Sequence, residues 1–392
     1  HYVIHRTIDG LNEIGKALRG SKVLVIGLAY KPDVDDVRET PAAEIIKLLF
    51  EHGADVVRWY MMSNSPPWDN MKFAERGLAE TRGKFFGTIE NVYRFMASYA
   101  NIDGFVGSEA PIPARERSEL DQWILSRLNS TIALADQSLE SYDCTRAARA
   151  MEQFVEELSN WYIRRSRPRF WAAKKASAST ETVSVHDKLA AYQTTFDCLF
   201  GLAVMMSPVA PFFADWLYRR LNEVVKRDAA PSVHLARFPV ADESVIDAGL
   251  EARMELARTV VQLVLLLRNR SHINVRQPLS RMLLVIGHAV EQAEVERVRD
   301  IILDEVNVRA IEYIADSSGV VKCSAKADFK KLGPRLGKQM KAVAARIAAL
   351  GDAEIRAFQA AGKIDVTVDG AVIEVGADEV DILSEEIGAW TV

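Results

Sequence analysis

Apolar residues recur at i, i+3, i+4 spacing through almost all of residues 85–270, and this unbroken helical period constrains the fold more than any other feature of the chain. It lapses only at 103–113, at 176–182 and around Pro208, Pro211 and Pro231. The middle of the chain therefore reads as a helical bundle. The flanks read differently. Residues 22–28 (Lys-Val-Leu-Val-Ile-Gly-Leu) are a β-branched run of the buried-strand kind, and Pro41 opens a helical stretch, 42–52, that Gly53 ends, giving a β-loop-α unit. After Pro278 come a strand (281–286), a charged helix (290–303), a strand (310–314), a basic helix, and a hairpin (364–375) turning at Asp369-Gly370. This is a small α+β domain. A chain of 392 residues has room for two to four domains, and the changes of pattern divide it at 1–57, 58–84, 85–275 and 276–392. There is no internal repeat.

Composition narrows the class. With 49% apolar and 26% charged residues the chain is neither disordered nor fibrous. Cys144, Cys198 and Cys323 stand far apart with no His at ligand spacing, so neither a disulfide framework nor a metal site is expected, and a reducing compartment fits. No apolar run reaches the length of a membrane span and no secretory signal opens the chain, so a cytoplasmic protein without a membrane partner is expected, as a monomer. The net charge of −5 hides strong sorting. Residues 322–346 hold eight basic residues against Asp328 alone, whereas 351–392 hold ten acids against Arg356 and Lys363. That pattern is either a solvated basic helix beside an acidic subdomain or a phosphate-facing surface.

Candidate chemistry concentrates in one helix. Met151, Phe154, Val155, Leu158, Trp161 and Tyr162 form an apolar stripe from which Arg164 and Arg167 project. Arg164, Arg165, Arg167 and Arg169, interleaved with Trp161, Tyr162, Phe170 and Trp171, offer guanidinium groups for phosphates and flat rings for bases, a composition suited to RNA. The competing reading has the aromatics anchoring the bundle and the arginines pairing with Glu156 and Glu157. Lys331, Arg335 and Lys338 fall on one side of the basic helix and could track a phosphate backbone without reading sequence. Residues 207–213 (Ser-Pro-Val-Ala-Pro-Phe-Phe) read as packing, and Pro66-Pro67-Trp68-Asp69 as a fixed change of chain direction. His186, His234, His272 and His288 stand singly, and no constellation for nucleophilic catalysis appears, so no catalytic residue is assigned. The loop 27–41, with Lys31 and Arg38 before a helix N-terminus, suits a pyrophosphate or nucleotide.

Longer strings carry a resemblance. Residues 58–73 (Arg-Trp-Tyr-Met-Met-Ser-Asn-Ser-Pro-Pro-Trp-Asp-Asn-Met-Lys-Phe), 81–88, 160–171, 206–213 and 274–279 (Asn-Val-Arg-Gln-Pro-Leu) together resemble the isoleucine-tRNA ligases, class I aminoacyl-tRNA synthetases, downstream of their second ATP-binding signature. The resemblance covers about 53–392. It implies a class Ia anticodon-binding helical bundle with a C-terminal α+β domain, tRNA as partner, and a parent enzyme using ATP and magnesium. Valine and leucine synthetases share that helical domain. The two ATP-handling signatures, HIGH and KMSKS, do not occur in the sequence, and neither does the editing insertion between them. The expected activity is tRNA binding without aminoacylation, in a chain cut at both ends.

Residues 1–57 resemble something else, the C-terminal sugar-nucleotide-binding domain of the UDP-glucose/GDP-mannose dehydrogenase family. That implies a Rossmann-like α/β fragment in which Tyr30 and Lys31 lie on a nucleotide sugar and Arg38 on NAD, vestigial here because the rest of such an enzyme is missing. The junction string Gly53-Ala54-Asp55-Val56-Val57 suits both parents: it ends a helix and begins a strand in one, and opens a helix in the other. A chimera fused at that string is expected, its lone β-α unit poorly packed or domain-swapped. The rival readings are a nucleotide-sugar dehydrogenase fragment and a non-catalytic helical scaffold whose arginines pair internally.

Overall fold

The computed structural model describes residues 53–66, 68–70, 73–172, 184–286, 289–314, 321–368 and 371–386. The expected β-loop-α unit, with Tyr30, Lys31 and Arg38, lies outside the described residues. The chain divides into two compact units, 1–251 and 252–392.

In the first unit the junction string opens a helix. Gly53, at φ +88, precedes α1 (Ala54–Asn64), whose Val56, Val57, Trp59 and Tyr60 are buried. Two polar residues on the same helix hold a distant loop. The Asp55 carboxylate accepts the backbone N–H of Phe213 at 2.6 Å, and Arg58 donates to the carbonyls of Val209 (3.0 Å) and Pro208 (3.3 Å). The 207–213 stretch is thus a packed helix junction, clamped by α1 just where Pro211 starts a new helix.

Helix α2 (Glu75–Thr81) widens into a π-helical turn at Arg82–Gly87 and continues as α3 (Thr88–Asp103). The turn delivers Phe85 flat against Trp59, ring centroids 4.0 Å apart, and Phe86 edge-on at 6.0 Å. Helix α4 (Glu119–Glu140) is capped by Ser118 and α5 (Cys144–Glu157) by Asp143. Then comes a second π-helical stretch, Leu158–Ile163, and α6 (Arg164–Trp171). Helix α7 (Val185–Met206) is apolar almost throughout because it runs through the core. Its length and composition would allow it to cross a membrane, but Ala190, Tyr192, Leu199, Leu202 and Met206 are buried inside the protein. Helix α8 (Pro211–Val225) completes the helices that lie wholly in this unit; the long α9 (Ala248–Arg270) starts at its end and belongs for most of its length to the second.

In the second unit β1 (Met282–Val285) and β2 (Ile311–Ile314) pair in parallel across a helical connection. That connection is two helices, α10 (Ala289–Arg297) and α11 (Arg299–Val306), rather than the single one expected. Val298 leaves helical geometry between them and lets Val295, Val298, Ile302 and Val306 all point inward. Strand β3 (Val321–Ala327) is followed by α12 (Phe329–Leu336), α13 (Met340–Ala348) and α14 (Asp352–Ala361). Strands β4 (Lys363–Val368) and β5 (Ala371–Gly376) form the expected hairpin, their register bracketing Asp369-Gly370. The last described strand, β6 (Val380–Glu386), returns antiparallel to β3. Leu332, Val343, Ile347, Ile355, Phe358, Val366 and Val375 fill this core.

The basic tract is therefore not one helix. Its first residues are strand β3, and Gly337, in the left-handed region at φ +50, ends α12. Lys338 lies in the short 3-10 turn beyond it, off the helix that carries Lys331 and Arg335.

Candidate nucleic-acid interface

The chain 144–171 is a single rod interrupted by its π stretch, and the interruption decides which arginines meet solvent. One extra residue in a π turn rotates everything after it by about 100° relative to a continuous α-helix. Phe170 consequently sits in the aromatic core, 5.1 Å from Phe95 and 4.9 Å from Tyr192. The solvent side of α6 carries Arg164, Arg167 and Trp171, all exposed, Trp171 at 59%. At spacings of three and four residues they lie within about 60° of one another around the helix. Arg164 donates from Nε to the Asn160 carbonyl at 2.9 Å, which steers its guanidinium back along the helix. Partial burial and the neighbouring Arg167 both hold the Arg164 pKa below its usual value, so two positive charges are set side by side. A phosphate between them would relieve that repulsion. Arg165 is half-buried, its guanidinium 5.9 Å above the Trp161 ring.

Arg169 is a correction. Its side chain does not join the solvent stripe; the residue is 9% exposed and bonded on every side by carboxylates. It clasps Asp121 with two bonds, 2.9 and 2.6 Å, and Asp187 with two more, 2.9 and 2.8 Å, and adds one to the Asp187 carbonyl at 2.9 Å. Tyr162 donates to the same Asp121 at 2.5 Å, and Ser118 at 2.6 Å. Asp121 and Asp187 are each the third residue of a helix, α4 and α7, where the helix dipole favours a negative charge. Burial works against the Asp121 charge, but the Arg169 guanidinium more than offsets it and holds the carboxyl below its usual pKa. Burial, reinforced by Asp121, pushes the Tyr162 hydroxyl well above its own. Arg169 is thus the pin joining α4, α6 and α7. Glu157 accepts bonds from Arg127 at 2.8 Å and Gln153 at 2.9 Å.

Sequence reasoning missed Lys188. A buried lysine on the apolar α7, it donates to the Ala172 carbonyl at 2.7 Å and pairs with Asp103 at 2.6 Å, while Tyr192 donates to that carboxylate at 2.5 Å. It holds the end of α6 and so fixes where Trp171 stands. The signal was present: a lysine that opens the apolar run Leu189-Ala190-Ala191-Tyr192 needs a partner if that face is buried.

In the second unit Lys331 and Arg335, one turn apart on α12, are half-exposed and face the segment between β5 and β6. Lys331 donates to the Asp378 carbonyl at 2.6 Å and lies 3.5 Å from its carboxylate. Arg335 donates to the Glu374 carbonyl at 3.0 Å and to Glu379 at 2.8 Å. The acidic end of the chain thus already neutralises these two. Among the described residues no cluster of His, Cys, Asp and Glu is arranged to hold a metal ion.

Stretches of this sequence match known proteins. Residues 121–283 match the family model for the anticodon-binding domain of tRNA ligase, and residues 24–60 match that of the UDP-glucose/GDP-mannose dehydrogenase family, UDP binding domain. The chain is 45% identical over 343 residues to the isoleucine–tRNA ligase of Bacteroides thetaiotaomicron, covering 87% of this chain and 29% of that protein. It is 44% identical over 352 residues to that of Bacteroides fragilis, covering 90% and 30%, and 35% identical over 339 residues to isoleucine–tRNA ligase 2 of Bacillus cereus, covering 86% and 31%. The chain thus spans about three-tenths of the length of the curated relatives it matches. Residues 121–283 are thus similar to the anticodon-binding domain of tRNA ligases, in a chain that resembles isoleucine–tRNA ligase over most of its length and the UDP binding domain of the UDP-glucose/GDP-mannose dehydrogenase family at its start.

Proposed function

We propose that this chain is the tRNA-gripping part of an isoleucine–tRNA ligase, binding its tRNA through the solvent face of α6. The observation that carries the reading is the stripe Arg164, Arg167 and Trp171: two exposed guanidinium groups beside an exposed indole, inside a domain that matches the anticodon-binding model. Arginines take phosphates, the indole takes a splayed base, and the buried Arg169 pin and Lys188 hold the helix that presents them. Lys331, Arg335 and Lys338 add sequence-independent grip, Lys331 and Arg335 by exchanging Asp378 and Glu379 for phosphates. Residues 1–57 are read as a Rossmann-like fragment ahead of this body, supported by the match over 24–60. Neither ATP-handling signature is in the chain and Tyr30, Lys31 and Arg38 lie outside the described residues, so no step through ATP, magnesium or NAD is derived for it.

Filter binding of isoleucine tRNA across a potassium chloride series tests this. Affinity should fall steeply with salt, and Arg164→Gln with Arg167→Gln should reduce the slope of log K against log salt by about 1.5, at roughly 0.7 to 0.9 for each phosphate no longer engaged. No binding at low salt, or a salt-independent response, would leave only the scaffold reading. The same material should not charge tRNA with isoleucine by itself.

A further inference from the structure

The motif Asn274-Val275-Arg276-Gln277-Pro278-Leu279 marks the resemblance but has no part in the α6 stripe. It lies in a long acid-free tract: residues 256–290 contain no Asp or Glu, whereas the chain as a whole carries an acid about every seven residues. Five arginines fall in that tract, and the structure accounts for three of them. Arg258 pairs with Glu255, Arg281 with Glu312, and Arg268 is buried at 2% exposure without any carboxylate partner among the described residues. Arg268 instead donates to the carbonyls of Asn274 and Gln277, both at 3.1 Å, and of Asn307 at 3.0 Å. The Asn307 amide in turn donates to the Val275 carbonyl at 3.0 Å. Further bonds close the bend, from the Ile273 N–H to the Arg268 carbonyl at 2.8 Å and from the Gln277 N–H to the Asn274 carbonyl at 2.9 Å. His272 and Asn307 occupy the left-handed region, at φ 55 and 51.

A buried, uncompensated guanidinium is a costly way to shape a surface bend, and the bend it shapes displays Arg270, His272 and Arg276 to solvent. None of the three has a carboxylate partner among the described residues. We propose that the 270–277 bend is a second RNA contact, in which Arg270 and Arg276 bind backbone phosphates. The inference rests on the reading that the chain binds tRNA, and favours a phosphate backbone because arginine forks match phosphate oxygens and no nearby acid in the tract competes for them.

The test uses the full chain and the same salt series. Arg270→Gln with Arg276→Gln should lower the slope of log K against log salt by about 1.5 and weaken binding at 50 mM potassium chloride roughly tenfold. The thermal midpoint should not move. Arg76→Gln with Arg94→Gln, which removes two arginines already paired with Glu80 and Glu90, should leave the slope unchanged. An equal effect in that control, or an unchanged slope in the bend variant while Arg164→Gln/Arg167→Gln still lowers it, overturns the second contact and leaves the α6 stripe standing. Absence of tRNA binding by the unaltered chain overturns both. Phenylglyoxal modification of the unaltered protein, read by mass spectrometry, gives an arm that needs no variant: bound tRNA should protect Arg270 and Arg276, and full reactivity in the complex overturns the proposal.

Discussion

Arg169 shows how residue type and residue position can point to opposite conclusions. By type it belongs to an RNA-binding cluster; by position it falls seven residues after Tyr162, in phase with the core stripe, and position decides. Removing it would leave Asp121 charged and buried beside Tyr162, so Arg169→Gln should destabilise the first unit by about 3–5 kcal/mol, read by denaturant unfolding. Tyr162→Phe, which deletes one bond to a charged group, should cost about 1.5–3 kcal/mol. A cost for Arg169→Gln below about 1 kcal/mol, the level of an ordinary surface ion pair, would show that the pin is not structural. Asp55 makes a contrasting prediction about pH. Burial raises its pKa from 3.8 to about 6, the N–H of Phe213 and the Arg58 charge only partly resisting. Between about pH 4 and 6 the folded chain therefore holds a proton that the unfolded chain has released, so stability falls as pH rises through that window, by at most about 3 kcal/mol. Asp55→Asn should abolish this part of the pH dependence. Asp121, held below its usual pKa, acts in the reverse sense: its contribution is present above about pH 4 and disappears on further acidification.

At the scale of elements, helical period announces the bundle and period-two alternation with Asp-Gly announces the β4–β5 hairpin, because both patterns are local. What stays hidden is anything that changes phase. The π stretches at Arg82–Gly87 and Leu158–Ile163 leave no mark on an i, i+3, i+4 count, yet the second shifts the phase of α6, whose buried face is Ser166, Arg169 and Phe170. The basic tract misleads for a related reason: a count of charge that does not weigh Gly333, Pro334 and Gly337 merges strand, helix and turn into one helix. Trp171 is marked in the sequence only by its arginine neighbours, and its exposure permits a clean measurement. Trp171→Ala removes no core packing and should leave stability within about 0.5 kcal/mol. If a base stacks on the indole, tRNA affinity should drop between about fivefold and 150-fold, equivalent to roughly 1–3 kcal/mol. Unchanged affinity would restrict the α6 interface to its arginines.

For the whole molecule the decisive question is which parent owns the junction. The string 53–57 is compatible with both, and 24–60 still matches the dehydrogenase family, so sequence alone assigns it twice. Contacts assign it once. Asp55 and Arg58 hold the start of α8 from more than 150 residues away, Trp59 stacks on Phe85 and donates to Glu152 at 2.8 Å, and Arg149 donates to the carbonyls of Ser63 and Asn64. Each of these lies within the helical body, and each begins after Gly53. Truncation should therefore be sharply position-dependent. Deleting 1–52 should leave both the tRNA affinity and the thermal midpoint of the first unit unchanged, because every strut of α1 named above is kept. Deleting 1–65 removes α1 and should strip the Trp59 stack and the clamp on 207–213, costing several kcal/mol and abolishing a cooperative transition, as removal of a large buried aromatic alone costs about 3–5 kcal/mol. Circular dichroism melts of the two truncations beside the full chain measure the difference. Equal collapse of both would mean that residues before Gly53 are built into the bundle and that the two parents have become one folding unit.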